Sequence, residues 1–180
     1  MIIKLIKKVI RKLIFLINPV FYARRLGVDI GFNCRIATDK FGSEPYLIKI
    51  GNNCSITRGV TFVNHDGGVW IFRKDNENFD IFGKIVIGNN VYIGNETTIL
   101  PGVTIGDNCV IGASSVVTKS IPSNTVAAGA PIRYICKTEE YFNKTKEKNI
   151  NTKGKKDKKK IILENIDEKG IIKGELNPKK

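Results

Sequence analysis

The chain has 180 residues, 42% of them hydrophobic, and a formal charge of +13 at neutral pH. That length suits one domain with extensions, and the apolar share supports a buried core. The charge invites a polyanion-binding reading, but it gathers in the first 25 residues and beyond Lys137 and comes with no nucleic-acid-binding motif, so nucleic acid is excluded as the expected partner.

The cysteines narrow the class further. Cys34, Cys54, Cys109 and Cys136 contain no Cys-x-x-Cys pair, which argues against a zinc cluster or a redox pair. Three of them follow an aliphatic-glycine step at one fixed offset (IGFNC, IGNNC, IGDNC) and read as small, reduced, inward-facing core residues of a cytoplasmic protein.

In chain order, residues 1–26 form a basic amphipathic segment. Ile2, Leu5, Ile6, Val9, Leu13, Leu16 and Ile17 follow helical spacing, and Lys4, Lys7, Lys8, Arg11 and Lys12 interrupt the apolar run. No uncharged stretch approaches the roughly 20 apolar residues that span a bilayer. A cleaved signal peptide is not expected, because the charges run deep and no small-x-small site follows. Two readings stay open: a helix lying on an anionic membrane, or a helix packing its apolar face on the end of the next domain. Pro19 breaks this helix or fixes its exit.

Residues 27–62 carry an irregular aliphatic pattern at Ile30, Ile36, Ile50, Ile56 and Phe62. The register slips by two between Ile36 and Ile50, which predicts that DKFGSEP, residues 39–45, bulges out as a corner loop. Residues 63–83, VNHDGGVWIFRKDNENFDIFG, break the pattern, which resumes at Ile81 and Ile87. About a dozen residues are inserted here as an extended loop, placed at 66–83, and such insertions tend to sit on a functional face. The only histidine, His65, opens the loop between Asn64 and Asp66. A lone histidine is often structural, yet it is also the side chain suited to taking a proton near neutral pH.

From Ile87 to Val117 the sequence is periodic. Ile87, Ile93, Ile99, Ile105, Ile111 and Val117 recur every six residues, and glycine follows at 88, 94, 106 and 112. Val91, Thr97, Val103, Cys109 and Ser115 sit four residues after successive aliphatics. Neither a helix of period 3.6 nor a plain strand of period two fits. A short strand and a sharp corner do, with both marked positions turned inward and three units closing a triangular coil of 18 residues. Ile87 then stacks under Ile105, Ile93 under Ile111, and Ile99 under Val117, and the coils build an all-β solenoid. Beyond it, residues 137–180 form a lysine-rich tail, read as disordered or a mobile helix, with Ile161–Leu163 and Ile171–Ile172 able to add a short element.

The run IGNNVYIGNETTILPGVTIGDNCVIGASSVVTKSIPSNTVAAGAPIRYI resembles the C-terminal half of the hexapeptide-repeat acyltransferases, and among them the O-acetyltransferases of sugars and surface polysaccharides. The resemblance covers roughly residues 27–136. It implies a left-handed parallel β-helix, a hand that the spacing does not show and that the general rule for parallel crossovers would not favour.

It also implies a chemistry. The family's base is a histidine at the start of such a loop, here His65, which takes the proton from an acceptor hydroxyl as its oxygen attacks the thioester of acetyl-CoA. Asn64 or Asp66 would orient the imidazole, and a backbone N–H near Asn95 would hold the oxyanion. For the donor, Ala113 matches a position contacting the pantetheine arm, Thr118 and Lys119 lie beside the adenosine and phosphate end, Gly129, Ala130 and Pro131 form a close-approach turn, and Arg133 meets phosphate. A basic residue usual three positions later is Cys136 here, with Lys137 as a substitute. Trp70 and Phe72, with Phe79, could stack on a sugar ring or pack the loop against a neighbour; Asp29 and Asn33 are weaker acceptor ligands. One histidine cannot supply the three-histidine metal site of the carbonic-anhydrase-like solenoids, so no metal is expected.

The family packs as homotrimers with the site between two subunits, so a monomer would be inactive. The expected function is O-acetylation of a saccharide, including one carried on a membrane lipid, in surface polysaccharide synthesis, with the protein cytoplasmic or held at the inner face of the membrane. The alternatives are N-acylation of an amino sugar or nucleotide sugar, which in the family usually brings an N-terminal nucleotide-binding domain not seen here, and a non-catalytic scaffold.

Overall fold

The structure, a computed structural model, describes residues 2–171, and the side chains of all of these but 2–4, 7 and 8. The chain divides into two compact units, residues 1–138 and 139–180. The first is the solenoid. Its strands are β1 (Asp29–Ile30), β2 (Arg35–Ile36), β3 (Ile48–Ile50), β4 (Ser55–Ile56), β5 (Thr61–Phe62), β6 (Ile85–Ile87), β7 (Tyr92–Ile93), β8 (Thr98–Ile99), β9 (Thr104–Ile105), β10 (Val110–Ile111), β11 (Val116–Val117), β12 (Thr125–Ala128) and β13 (Arg133–Lys137). Three sheets form the faces of the prism: β1-β3-β6-β9, β2-β4-β7-β10-β12-β13, and β5-β8-β11. All pairings are parallel except β12 with β13, which turns back over the last coil.

The repeat explains this layout. Ile87 pairs with Ile105, Ile93 with Ile111, and Ile99 with Val117, the registers the six-residue spacing predicts. These side chains are essentially inaccessible, and Val91, Thr97, Val103, Cys109 and Ser115 are buried beside them. Each coil therefore covers its apolar face only with the coils above and below. One corner of each coil, between the first sheet and the second, is turned by an asparagine in the left-handed region, Asn33, Asn53, Asn90, Asn108 and Asn124, with φ between 54° and 61°. Asparagine tolerates that conformation better than other residues with a Cβ. Their amides form a ladder along one edge: Asn33 Nδ2 donates to Asn53 Oδ1 at 2.7 Å, Asn90 to Asn108 at 2.9 Å, and Asn108 to Asn124 at 3.0 Å. Asn33 is thus a rung of the ladder, and Asp29 pairs with Lys49 at 3.4 Å.

Two sequence expectations about the irregular coils change. DKFGSEP does not bulge as a whole: Lys40 bridges to Thr61 in the third sheet, and Phe41 is 1% exposed, stacked on Phe62 with centroids 5.5 Å apart. Only the residues after Phe41 leave the face. The second insertion is larger than a dozen. Stacked residues Phe62 and Ile99 lie 37 apart in sequence, against 18 for Ile99 and Val117, so 19 residues are added. Ile81 opens no repeat; it is 44% exposed in the stem of the loop, and Ile85 and Ile87 resume the core.

A helix does cap the N-terminal end of the prism, but it is the second one. α1 spans Ile2–Ile17 and α2 spans Pro19–Leu26. Pro19 starts α2 behind an Asn18 cap whose side chain accepts from the Phe21 amide, and Gly27, at φ 106°, closes it. Ala23 is fully buried, and Val20, Tyr22 and Leu26 pack against the core from the same helix. The capping reading of the basic segment therefore belongs to α2; α1 leaves its apolar side uncovered. Among its described residues the tail is largely helical. α3 spans Thr138–Thr145, and α4 spans Lys158–Lys169 and contains Ile161–Leu163. Ile171 follows α4 without regular structure, and Ile172 lies outside the described residues.

All four cysteines are free thiols; Cys54, Cys109 and Cys136 are buried, and Cys34 is only half-buried. Burial pushes the Cys54 thiol up to about 11 and raises that of Cys109. An unfolded thiol ionises around 9.0, whereas folded Cys54 resists until about 11. The folded state is therefore unaffected by this group below pH 9 and loses stability as pH climbs from about 9 toward 11. Urea midpoints measured across that window should fall, and replacing Cys54 and Cys109 together by alanine should shrink the fall.

Candidate active site

The two irregular coils depart from the prism at the same edge, where the third sheet turns into the first. His65 lies there, three residues beyond β5. A short antiparallel stem holds it: His65 bridges to Phe82, the Asp66 amide donates to Ile81 O at 2.9 Å, and the Gly83 amide donates to Asn64 O at 3.0 Å. Gly83 lies so close to Pro101–Gly102 of the next coil that a Cβ there would fall 2.3 Å from the Gly102 amide nitrogen. The stem is therefore pressed onto the solenoid wall, and the ring of His65 remains 45% exposed above it.

Nδ1 of His65 faces Ser43 Oγ at 3.1 Å and Glu44 Oε2 at 3.4 Å, while Ser43 Oγ and Glu44 Oε2 are 2.7 Å apart. Proton counting orders this cluster. A carboxylate only accepts, so the single hydroxyl proton of Ser43 goes to Glu44. Ser43 Oγ can then only accept from the ring, which puts the proton on Nδ1 and leaves the lone pair on Nε2. Glu44, its side chain 18% exposed, also stands ready to balance a positive imidazolium.

Asn64 and Asp66 do not touch the imidazole. Asn64 is fully buried, and its Nδ2 donates to Phe41 O at 3.1 Å and Glu44 O at 2.8 Å, while its Oδ1 accepts from the Glu44 amide at 3.4 Å. It clamps the segment that carries Ser43 and Glu44, so its influence on His65 is one step removed. Gly42 makes that clamp possible: its φ is +69°, and a Cβ would fall 2.4 Å from Asn64 Oδ1. Asp66 caps the 3-10 turn Gly67–Phe72 by accepting from the Gly68 amide at 2.8 Å. Ser43 and Glu44 were not singled out from the sequence. Their signal was the two-residue slip in the coil before His65, read only as a bulge.

The loop is built largely from its own contacts. Arg73 pairs with Asp80 and lies 5.5 Å from the Trp70 ring, Phe72 meets Phe79 at 6.2 Å, and Val69 is its buried anchor. Trp70 is 71% exposed and Phe72 half-exposed. Both are available to a ligand or to another chain.

The remaining sequence-predicted residues fall into two groups. Thr118 and Lys119 turn the corner after β11, on the same edge as His65 and two coils along. Asn95 and Ala113 turn the opposite corner of the third sheet, between the second sheet and β8 or β11. Ala113 lies directly over Gly94, where a Cβ would meet the Ala113 amide nitrogen at 2.5 Å. Gly129 begins on that opposite edge, where its amide donates to Ser115 Oγ at 3.0 Å, and residues 129–132 run along β11, with Ile132 N donating to Val116 O at 2.9 Å. Pro131 is on this stretch, and Arg133 opens β13. Asn95, Ala113, Thr118, Lys119, Pro131 and Arg133 are exposed. Cys136 is buried against Val126, so the neighbouring exposed cation is Lys137. Within one chain, then, His65 and the Asn95–Ala113 edge are separated by the full width of the third sheet.

Comparison with known proteins gives a consistent set of relatives. The family described as "Bacterial transferase hexapeptide (six repeats)" matches residues 84–119. Protein CapG of Staphylococcus aureus is 53% identical over 140 residues, covering 72% of this chain and 81% of that protein. Galactoside O-acetyltransferase of Escherichia coli strain K12 is 42% identical over 123 residues, covering 65% of this chain and 57% of that protein. Among solved structures, a hexapeptide-repeat acetyltransferase of Vibrio cholerae O1 biovar eltor, complexed with acetyl coenzyme A, superposes with a TM-score of 0.57 at 28% identity, covering 62% of this chain and 61% of that one.

The clamp can be separated from its neighbour by mutation. Asn64→Ala takes the side-chain donor from the buried Phe41 carbonyl, a loss of about 1–3 kcal/mol, and also removes the bonds to Glu44, whose carbonyl keeps only the Leu47 amide, so it should lower the unfolding midpoint markedly. Asp66→Ala removes one exposed cap and should cost about 1 kcal/mol or less. Equal losses in thermal unfolding would contradict the assignment of Asn64 as the clamp.

Proposed function

We infer the reaction from a firm premise, that the chain belongs to the hexapeptide-repeat acyltransferases. Its function is that of an acetyl-CoA-dependent O-acetyltransferase acting on a saccharide hydroxyl. The left-handed parallel β-helix of that family is the fold described above. The chain's own residues suit the donor: Lys119 and Arg133 are exposed, enter no ion pair among the described residues, and can meet the phosphates of a polyanionic cofactor. Acetyl-CoA supplies the thioester that is cleaved.

His65 is the general base. Its Nε2 takes the proton of the acceptor hydroxyl as the oxygen attacks, and returns it to the departing sulfur, so the ring ends as it began. Ser43 fixes the tautomer through Nδ1, and Glu44 stabilises the transient imidazolium. The observation that carries this reading is the Nδ1 cluster, which by proton counting leaves the lone pair on Nε2 of a half-exposed imidazole at the start of an exposed aromatic loop. The acceptor belongs to surface polysaccharide synthesis, a reading supported by the NHDGGVW loop, which resembles that of surface-polysaccharide acetyltransferases more than that of the small-sugar enzymes.

The working form is a homotrimer. The separation of His65 from the Asn95–Ala113 edge supports it: the two half-sites meet when the edge of one copy faces the opposite edge of the next. Thr118, Lys119, Gly129, Pro131 and Arg133 complete the donor side, and Trp70 and Phe72 face the acceptor.

Two measurements test this. Thiol release from acetyl-CoA with a panel of saccharides should fall about 10²–10⁴-fold in His65→Ala, with a smaller loss in Ser43→Ala and in Glu44→Gln. A product stable to mild alkali would be an amide and would point to N-acylation; the same background rate in wild type and His65→Ala with every acceptor would leave a scaffold. In the second measurement, His65→Ala and Ala113→Tyr should each lose activity alone. Co-expressed in one cell, they should regain activity, since a mixed trimer contains a junction with both intact edges. A site held within one chain would regain none.

A further inference from the structure

α1 takes no part in the site or in the core, yet its composition is sharply divided. By helical spacing its apolar positions fill one half of the helix, and Lys4, Lys7, Lys8, Arg11 and Lys12 fill the other, with Phe15 as the sole apolar residue among them. Phe15 accounts for the orientation: its ring meets Tyr22 of α2 edge-on at 5.5 Å. The cationic side of the helix near its end is thereby set toward α2, and the apolar side is turned away. Leu5, Ile6, Val9, Ile10, Leu13, Leu16 and Ile17 are between 49% and 84% exposed.

Two observations define what can cover this face. The first is charge. The helix holds five cations and no acidic residue, and the first carboxylate of the sequence is Asp29. A helix bundling with copies of itself gains by pairing its flanking charges, and α1 has no anion to offer. An anionic surface complements it along its whole length. The second is length. Its 16 residues extend about 24 Å, short of the roughly 30 Å hydrocarbon core of a bilayer. Among the described residues no helix is long and apolar enough to cross a membrane. The helix can therefore lie in the interface, with Leu and Ile in the acyl region and Lys and Arg at the headgroups.

We propose that α1 docks the protein in plane on an anionic phospholipid surface, through the stripe Leu5, Ile6, Val9, Leu13, Leu16 and Ile17. In a trimer three such helices act together, so individually modest attachments add. Docking does not depend on the acetyl-transfer reading, but it bears on it: a surface-bound trimer meets a saccharide carried on a lipid where that carrier resides.

Flotation of the full-length protein with vesicles tests the proposal. The protein should float with vesicles of equal parts phosphatidylcholine and phosphatidylglycerol, remain behind with phosphatidylcholine alone, and detach at high salt. Arg11→Gln with Lys12→Gln removes two cations per helix, worth about 1 kcal/mol each at such a surface, so affinity should fall roughly 30-fold for a single helix and by more for three acting together. Leu13→Glu with Leu16→Glu should abolish flotation. Both variants alter exposed positions and should keep wild-type acetyl transfer to a soluble acceptor, which checks their folding and separates failure of docking from failure of the enzymatic reading. Three results would overturn the proposal: no flotation of the wild type with anionic vesicles, equal flotation with neutral ones, or a drop in oligomeric state in Leu13→Glu with Leu16→Glu while flotation persists, which would make the stripe an interface between copies or with another protein.

Discussion

The solenoid depends on one contact repeated: an inward aliphatic side chain resting on its counterpart one coil away. Ile56, Ile93 and Ile111 form such a column, each completely buried. A two-residue strand has too few hydrogen bonds to stand alone, so the column is what holds each coil to the next. The asparagine ladder follows from it. Once columns are in register, each corner must fall above the last, and equivalent asparagines are brought within hydrogen-bonding distance. The same stacking leaves no tolerance at glycines such as Gly94, whose place for a side chain is taken by the backbone of the next coil.

A wall this regular is chemically inert, because every position repeats the environment of its neighbours. Distinct chemistry requires a departure from the period. Two departures occur in adjacent coils, and both leave by the same edge. The second brings His65 and the aromatic loop. The first brings Ser43 and Glu44 to the imidazole. Asn64 ties the two together from beneath, entirely buried. The opposite edge of the same sheet remains regular and offers backbone and small side chains at Asn95 and Ala113. A rigid sheet cannot fold these edges onto each other, and the proposed trimer brings them together by setting one copy against the next.

Much of this was legible in the sequence where the repeat was strict. The registers of Ile87, Ile93 and Ile99 followed from spacing alone, because burial admits one inward residue per face. The irregular coils were less legible for the same reason. Phe41 sits where no hexad predicts it, held by stacking on Phe62, and no local pattern announces a contact between residues 21 apart. The basic N-terminal segment was open between two readings for a different cause. Hydrophobic periodicity shows that a face exists but not what covers it, and capping is performed by the less amphipathic α2 through Ala23.

The partners of His65 show what a closer reading of register could have found. Residues stacked across the first two coils are 20 apart, as in Ile36 and Ile56, rather than 18. Two extra residues cannot be absorbed in a strand without turning inward side chains outward, so they must enter at a corner. Phe41 fills the third face at the level of Phe62, which pushes the excess to the residues after it, and these are Gly42, Ser43 and Glu44. The loop opened by His65 departs from the corner directly above. A slip of two in one coil and a long insertion in the next thus identify one place on the surface, and there the serine and glutamate meet the imidazole at Nδ1.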